Sequence, residues 1–210
     1  KPKCVAQASE KGHDPKILEK VWTDWEAFAS YAFNKSHSTC YAWVAYQTAY
    51  LKAHYPAEYM AAVLSNNMND IKQVTFFMEE CKALGLQVLG PDINESQKRF
   101  SVNKKHEIRF GLGGIKGTGD AAVDAIIEER EKNGQFKDIF DFITRVNLRT
   151  VNKKTLESLA YAGAFDCFEE IHRAIYFHVS EEGGTFIERL IRYANKVQED
   201  KMSTQNTLFG

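Results

Sequence analysis

The sequence predicts a mainly α-helical fold carrying one small β element. Apolar residues recur every three or four positions along most of the chain. Cap residues stand where those runs begin, glycines stand where they stop, and alternation at period two is confined to one short stretch. Ile17, Leu18, Val21, Trp22, Trp25, Phe28 and Ala29 mark a first helix, entered at Asp14-Pro15 with proline at its first position; this stripe is expected to be core. Asn34–His37 reads as a loop-to-helix entry. Tyr41, Val44, Ala45, Thr48 and Leu51 mark one face of the helix that follows. Pro56 ends that helix and opens another through Met60, Ala61 and Leu64. Asp70 caps the next, with Val74, Phe77, Met78, Cys81 and Leu84 inward and Gly85 as its stop.

The texture then changes. Leu86–Ile93, with Gly90-Pro91 inside it, is expected to be an extended linker. Phe100 and Val102, then Ile108, Phe110 and Leu112, alternate on either side of Asn103–Glu107 and predict a β-hairpin. A helix is expected over about Asp120–Lys132, closed by Asn133-Gly134. Asp138 caps a short helix carrying Phe140, Phe142 and Ile143. Asn152 caps another, with Leu156, Leu159 and Ala160 inward and Gly163 as its stop. Two polar stretches, Glu170–Ser180 and Thr185–Glu199, read as helices, and Lys201–Gly210 as a flexible tail.

The 210 residues suffice for one large or two small domains, and a hydrophobic fraction of 44% with 26% charged residues is ordinary for a globular protein. No apolar run is long enough to span a bilayer and no signal-peptide pattern opens the chain, so no membrane partner is expected. The chain starts at Lys1 rather than Met, which reads as a piece of something longer. Cys4, Cys40, Cys81 and Cys167 are scattered without a C-x-x-C pair, which argues against zinc and for a reducing, cytosolic setting. The net charge of -1 opposes attraction of the whole surface to nucleic acid. Lys98–Lys154, however, holds 13 Lys and Arg against 8 Asp and Glu, a local excess of five, which permits a nucleic-acid face in mid-chain.

Two clusters carry chemistry. Asn34, Lys35, Ser36 and His37 gather hydrogen-bonding groups and a cation at the mouth of a helix, where free amides and the helix dipole favour an anion such as a phosphate. Gly114-Ile115-Lys116-Gly117-Thr118-Gly119 opens the helix at Asp120. It resembles the helix-hairpin-helix motif, which grips the sugar-phosphate backbone without reading sequence. Gly117 and Gly119 let a phosphate approach the amides, Ile115 anchors the turn and Lys116 adds a charge. The order of a P-loop is absent, since Lys116 precedes Gly117, and no βαβ unit surrounds the turn as a dinucleotide fold requires. Lys153 and Lys154, just after Asn152, fit either a second hairpin of a tandem pair or plain surface lysines.

FNKSHSTCYAWVAYQTAYLKAHYPAEYMAAVL from Phe33, GPDIN at Gly90–Asn94, IRFGLGGIKGTGDAAVDAIIEER at Ile108–Arg130 and LESLAYAGAFD at Leu156–Asp166 resemble, in order, segments of the C family of bacterial replicative DNA polymerases, the DNA polymerase III alpha subunits. The resemblance covers most of Val21–Phe168. It implies residues 1–90 as the C-terminal part of the fingers, 91–168 as a β-hairpin with a tandem helix-hairpin-helix module, 169–200 as a helical connector and 201–210 as a tail. Asn34, Lys35, Ser36 and His37 would then face the incoming deoxynucleotide, with His37 in a hydrogen-bonding or helix-entry role ahead of general-acid work. Ile115, Lys116, Gly117, Thr118, Gly119, Lys153 and Lys154 would contact duplex DNA. Gln205, Leu208 and Phe209, in the pattern Q-x-x-L-F, resemble the short motif with which such polymerases grip the β sliding clamp. Other replicase subunits are further implied partners, and a bacterial cytoplasm the location. The family's palm carboxylates and their Mg2+ match nothing here, so the chain is expected to carry no catalytic residue, metal or cofactor and not to polymerise alone. The alternative is a stand-alone helix-hairpin-helix DNA-binding or repair protein.

Overall fold

The computed structural model describes residues 2–30, 35–180 and 183–208, as backbone only for Ser30 and for residues 201–208. Its contacts divide the chain into two units, Lys1–Ala53 and His54–Gly210.

The first unit is helical: α1 (Pro2–Glu10), α2 (Pro15–Ser30) and α3 (Lys35–His54). Asp14 opens α2 as expected, its Oδ1 accepting from the Lys16 amide at 2.8 Å. The α2 stripe is not the core that its periodicity predicts. Ile17, Trp25 and Phe28 are exposed, Phe28 at 73%. The reason lies in the neighbours. α1 packs on α2 but is short and polar and has no buried residue. The large side chains of α3, Tyr41, Trp43, Val44, Tyr46 and Tyr50, spread around its circumference and are themselves exposed.

The second unit holds α4 (Pro56–Asn66), α5 (Ile71–Ala83), β1 (Val88–Leu89), β2 (Ser101–Val102), β3 (Ile108–Arg109), α6 (Asp120–Asn133), α7 (Ile139–Arg145), α8 (Lys153–Ala162) and α9 (Phe186–Leu208), with 3-10 turns at Leu112–Gly114 and Arg173–Phe177. The expected caps are present. Asp70 accepts from the amides of Lys72 and Gln73, Asp138 from Asp141, and Asn152 from Thr155. The expected hairpin forms between β2 and β3, with Val102 opposite Ile108. The expected linker before it instead contains β1, which pairs parallel to β3 and completes a three-stranded sheet of order β1-β3-β2. A two-residue strand whose partner lies twenty positions downstream leaves no periodicity to read. The helix expected at Glu170–Ser180 shrinks to the 3-10 turn, where buried Tyr176 is drawn into the core and the chain then bridges Val179 to Thr185. The expected flexible tail is different too. Neither proline nor glycine interrupts the run from Phe186, and the backbone stays helical to Leu208.

Two apolar clusters stabilise this unit. One joins α4 and α5 to the sheet through Met60, Leu64, Val74, Cys81, Phe100 and Ile108; Met78 and Leu84, expected inward, lie off it and are exposed. Residues of α4, α5 and β1 as far as Val88 share this cluster with Phe100 and Ile108. The larger cluster gathers Ile126, Phe142, Leu159, Phe165, Tyr176 and Leu190, and Phe110 packs against both. Each large side chain buried in this way contributes roughly 1.5–3 kcal/mol.

Segment 92–98 ties these elements together. The Ile93 amide donates to Ala164 O at 2.8 Å, just past α8. Asn94 exchanges two hydrogen bonds with the Phe136 backbone, both 2.8 Å. Buried Ser96 donates to Phe110 O at 2.7 Å. The Arg130 guanidinium on α6, only 7% exposed, donates to Ile93 O and Ser96 O at 3.0 Å each. Replacing it with an apolar side chain strands two buried carbonyls, each costing about 1–3 kcal/mol. Arg130→Met is therefore expected to destabilise the chain by about 2–4 kcal/mol. Urea unfolding checks this as a lower midpoint at unchanged slope.

Candidate nucleic-acid interface

The Gly-rich run is built in two halves. Gly111 and Gly113 serve packing: a Cβ on Gly111 would lie 2.5 Å from the Arg99 carbonyl carbon, and one on Gly113 2.8 Å from Lys98 O. The backbone pairs here, Leu112 N with Gln97 O at 2.9 Å and Gly113 N with Lys98 O at 3.0 Å. The second half is the turn. Ile115 is buried in the larger cluster and anchors it, so its side chain is core rather than contact surface. The Thr118 hydroxyl reaches Ile115 O at 2.7 Å and Leu112 O at 3.0 Å, which closes the loop on itself. Gly117 adopts φ +97, a conformation that disfavours any side chain.

Gly119 caps α6 by its backbone alone. Its carbonyl accepts from Ala122 N and Val123 N at 3.0 and 3.1 Å. The amides of Gly119, Asp120 and Ala121 find no acceptor among the described residues, and Lys116, Gly117 and Gly119 are exposed. The result is an outward row of N–H donors at the positive end of a helix. Asp120, which would repel an anion there, is engaged: Lys98 Nζ lies 3.2 Å from its carboxylate and 3.0 Å from that of Asp124. These bonds, Asp124 first, hold the Lys98 ammonium above its ordinary pKa.

α7, a turn over residues 146–152 and α8 form a second helix-turn-helix whose start is capped by Asn152 Oδ1, 3.1 Å from the Thr155 amide. Arg145 fastens it to the first. It bonds Glu129 Oε1 and Asp141 Oδ2 at 2.9 Å, caps Gly134 O at 2.7 Å and covers the Phe136 ring at 4.5 Å. The two lysines expected to act together part company. Lys153 Nζ pairs with Glu188 at 2.7 Å and Glu157 at 3.7 Å; the Glu188 bond raises its pKa, and the same bond lowers that of Glu188. Glu188 in turn accepts from the Thr185 amide at 2.8 Å at the start of α9, so Lys153 belongs to a structural joint. Lys154 forms no ion pair among the described residues and runs beside Gly117: a Cβ on Gly117 would lie 3.8 Å from Lys154 Cε and 2.5 Å from Ser158 Oγ. Sequence reasoning missed Ser158 and Lys98. Ser158 sits one helical turn beyond Lys154 and nothing in the sequence marks it.

The other expected site residues stand elsewhere. Lys35, Ser36 and His37 are exposed on the first turn of α3, with the His37 ring 4.3 Å from that of Tyr41; Asn34 lies outside the described residues. The backbone of Gln205 and Leu208 continues α9, and Phe209 lies outside the described residues. Among the described residues no three His, Cys, Asp or Glu side chains are grouped to hold a metal ion, and no helix is long and apolar enough to cross a membrane.

A helix–turn–helix pair with glycines at the turn and free amides at the helix start defines a helix-hairpin-helix module, and residues 85–175 match the family described as the helix-hairpin-helix motif. The whole chain has close relatives. It is 48% identical over 159 residues to DNA polymerase III subunit alpha of Vibrio cholerae, covering 76% of this chain and 14% of that protein. It is 41% identical over 203 residues to its counterpart in Borreliella burgdorferi, covering 97% and 17%. Across all 210 residues it is 41% identical to that of Aquifex aeolicus, again 17% of the relative. The chain belongs to the DNA polymerase III alpha subunit family, and spans about a sixth of the length of these curated relatives.

Gly117→Ala forces a side chain at φ +97 into the Ser158 hydroxyl. It is expected to cost about 1–3 kcal/mol of stability, which thermal or urea unfolding would register.

Proposed function

We propose that this chain is the part of a replicative polymerase alpha subunit that holds duplex DNA by its sugar-phosphate backbone. The observation that carries this reading is the rigid Ile115–Gly119 turn, whose free amides face solvent within the region matching the helix-hairpin-helix family. Amide donors read phosphate oxygens and not bases, so the grip is indifferent to sequence. Lys116 and Lys154 add positive charge beside the amides. On the same reading the start of α3, with Lys35, Ser36 and His37, approaches the triphosphate of an incoming deoxynucleotide, which would place Asn34 there as well. Polymerisation needs metal-binding carboxylates. No step of the reaction is assigned to this chain's residues, and the chain alone is expected to bind without polymerising.

Fluorescence anisotropy with a labelled duplex tests the central claim. Affinity should fall steeply as salt rises and be equal for duplexes of unrelated sequence. No binding at low salt overturns the DNA role.

The end of the chain is proposed to grip the sliding clamp through Gln205, Leu208 and Phe209. Leu208 and Phe209 would fill an apolar pocket while Gln205 bonds at its rim, after the last turn of α9 opens. Helix ends fray readily, so opening costs little. One such motif would bind weakly, on the order of micromolar, and act through tethering in a larger enzyme. The double variant Leu208→Ala, Phe209→Ala is expected to lose clamp binding in surface plasmon resonance; unchanged affinity would sink the assignment.

A further inference from the structure

We propose that Tyr161, near the end of α8, is a platform on which an unpaired DNA base stacks, so that the chain holds single-stranded DNA beside the duplex. This rests on the DNA-binding reading above and extends it to a second form of DNA. Tyr161 is 67% exposed, in the last turn of a helix whose other large apolar side chains, Leu156 and Leu159, are buried. The ring is nevertheless held in place. It lies on Phe177 with centroids 3.9 Å apart and planes 19° from parallel, which covers one face and leaves the other open. Phe177 packs against the larger apolar cluster, and its neighbour Tyr176, 1% exposed, pins the 3-10 turn that carries both. Arg173, at the start of that turn, pairs with Asp166 and donates from Nη1 to Tyr161 O at 3.4 Å. The 3-10 turn that stands where a helix is expected thus sets an aromatic floor under Tyr161.

The position of the ring decides the ligand. Ser158 and Tyr161 stand three residues apart and share one face of α8. Ser158 is where α8 meets the first hairpin, its Oγ 2.5 Å from the place a Gly117 Cβ would take. The Tyr161 backbone is about 4.5 Å further along the helix axis. The platform therefore continues the surface of the Gly117 turn, inside the region that matches the helix-hairpin-helix family. An open aromatic face is matched by another flat π system. Within a duplex both faces of a base are covered by its neighbours in the stack, so the ring can take only a base that has left it. Stacking accepts every base, so this contact is as indifferent to sequence as the amides are. Because Phe177 already fixes the ring, binding orders few new rotors. Other exposed rings of this unit lack that backing. Phe76 meets Phe77 edge-on, and Phe140 meets Phe186 and Tyr193 edge-on.

Fluorescence anisotropy of the 210-residue chain tests this with a blunt duplex, the same duplex carrying a short single-stranded extension, and one whose extension is abasic. The abasic extension keeps the phosphates and removes the bases, which separates stacking from charge. The wild-type chain is expected to bind the extended duplex more tightly than either of the others, and to quench a 2-aminopurine placed in the extension. Tyr161→Ala is expected to weaken binding of the extended duplex by about fivefold or more, to remove the quench and to leave the blunt duplex within about twofold. Tyr161→Trp is expected to keep both signals. Phe76→Ala, which removes a comparably exposed ring from α5, is expected to change neither. Circular dichroism verifies folding, and Tyr161→Leu, which keeps an apolar contact with Phe177 without an aromatic face, replaces the Ala variant if that one unfolds. Equal weakening on blunt and extended duplexes, or no weakening on the extended one, overturns the platform. So does a wild-type chain that binds duplex but prefers neither base-bearing nor abasic extensions, while backbone binding stands. A wild-type chain that binds none of the three at low salt overturns the DNA-binding reading and the platform with it.

Discussion

The Arg130 side chain is buried on α6, and its guanidinium spends two of its donors on the carbonyls of Ile93 and Ser96. Few arrangements make a buried cation tolerable, and backbone carbonyls that would otherwise be unpaired are one of them. Its consequence reaches the surface. Segment 92–98, fixed from below by Arg130, presents Gln97 and Lys98 carbonyls to the amides of Leu112 and Gly113. Those bonds set the level from which the Ile115–Gly119 turn projects. The same segment binds the end of α8 through Ile93 and the stretch after α6 through Asn94. Both hairpins are thus referenced to one short loop.

Charge is used sparingly in this module. The chain as a whole is almost neutral, and part of the lysine and arginine of its middle region is bound to carboxylates: Lys98 to Asp120 and Asp124, Arg145 to Glu129 and Asp141, Lys153 to Glu188. Beside the row of amides, Lys116 and Lys154 form no ion pair among the described residues.

The first unit stands on different physics. α2 and α3 carry many aromatic side chains, but these stack on each other along the helix surface, as Trp43 does on Tyr46 with ring centroids 5.8 Å apart, rather than close into a core. Helix formation here draws on local propensity, capping and neighbour contacts along the same helix. In the second unit long-range burial dominates.

The sequence by itself determined where helices start and stop. Asp70, Asp138 and Asn152 cap because a side-chain oxygen two or three residues from an amide is a local event, and Gly85, Gly134 and Gly163 interrupt for equally local reasons. It also determined the β2–β3 hairpin and the turn around Gly117, whose residue types and order carry their own geometry. Tertiary structure alone decided what those elements touch. It added β1 to the sheet, left the α2 stripe uncovered, turned Gly111 and Gly113 into packing positions and divided Lys153 from Lys154. Each of these depends on residues distant in the chain, Glu188 for one lysine and Gly117 for the other, and periodicity carries no record of which distant group will arrive.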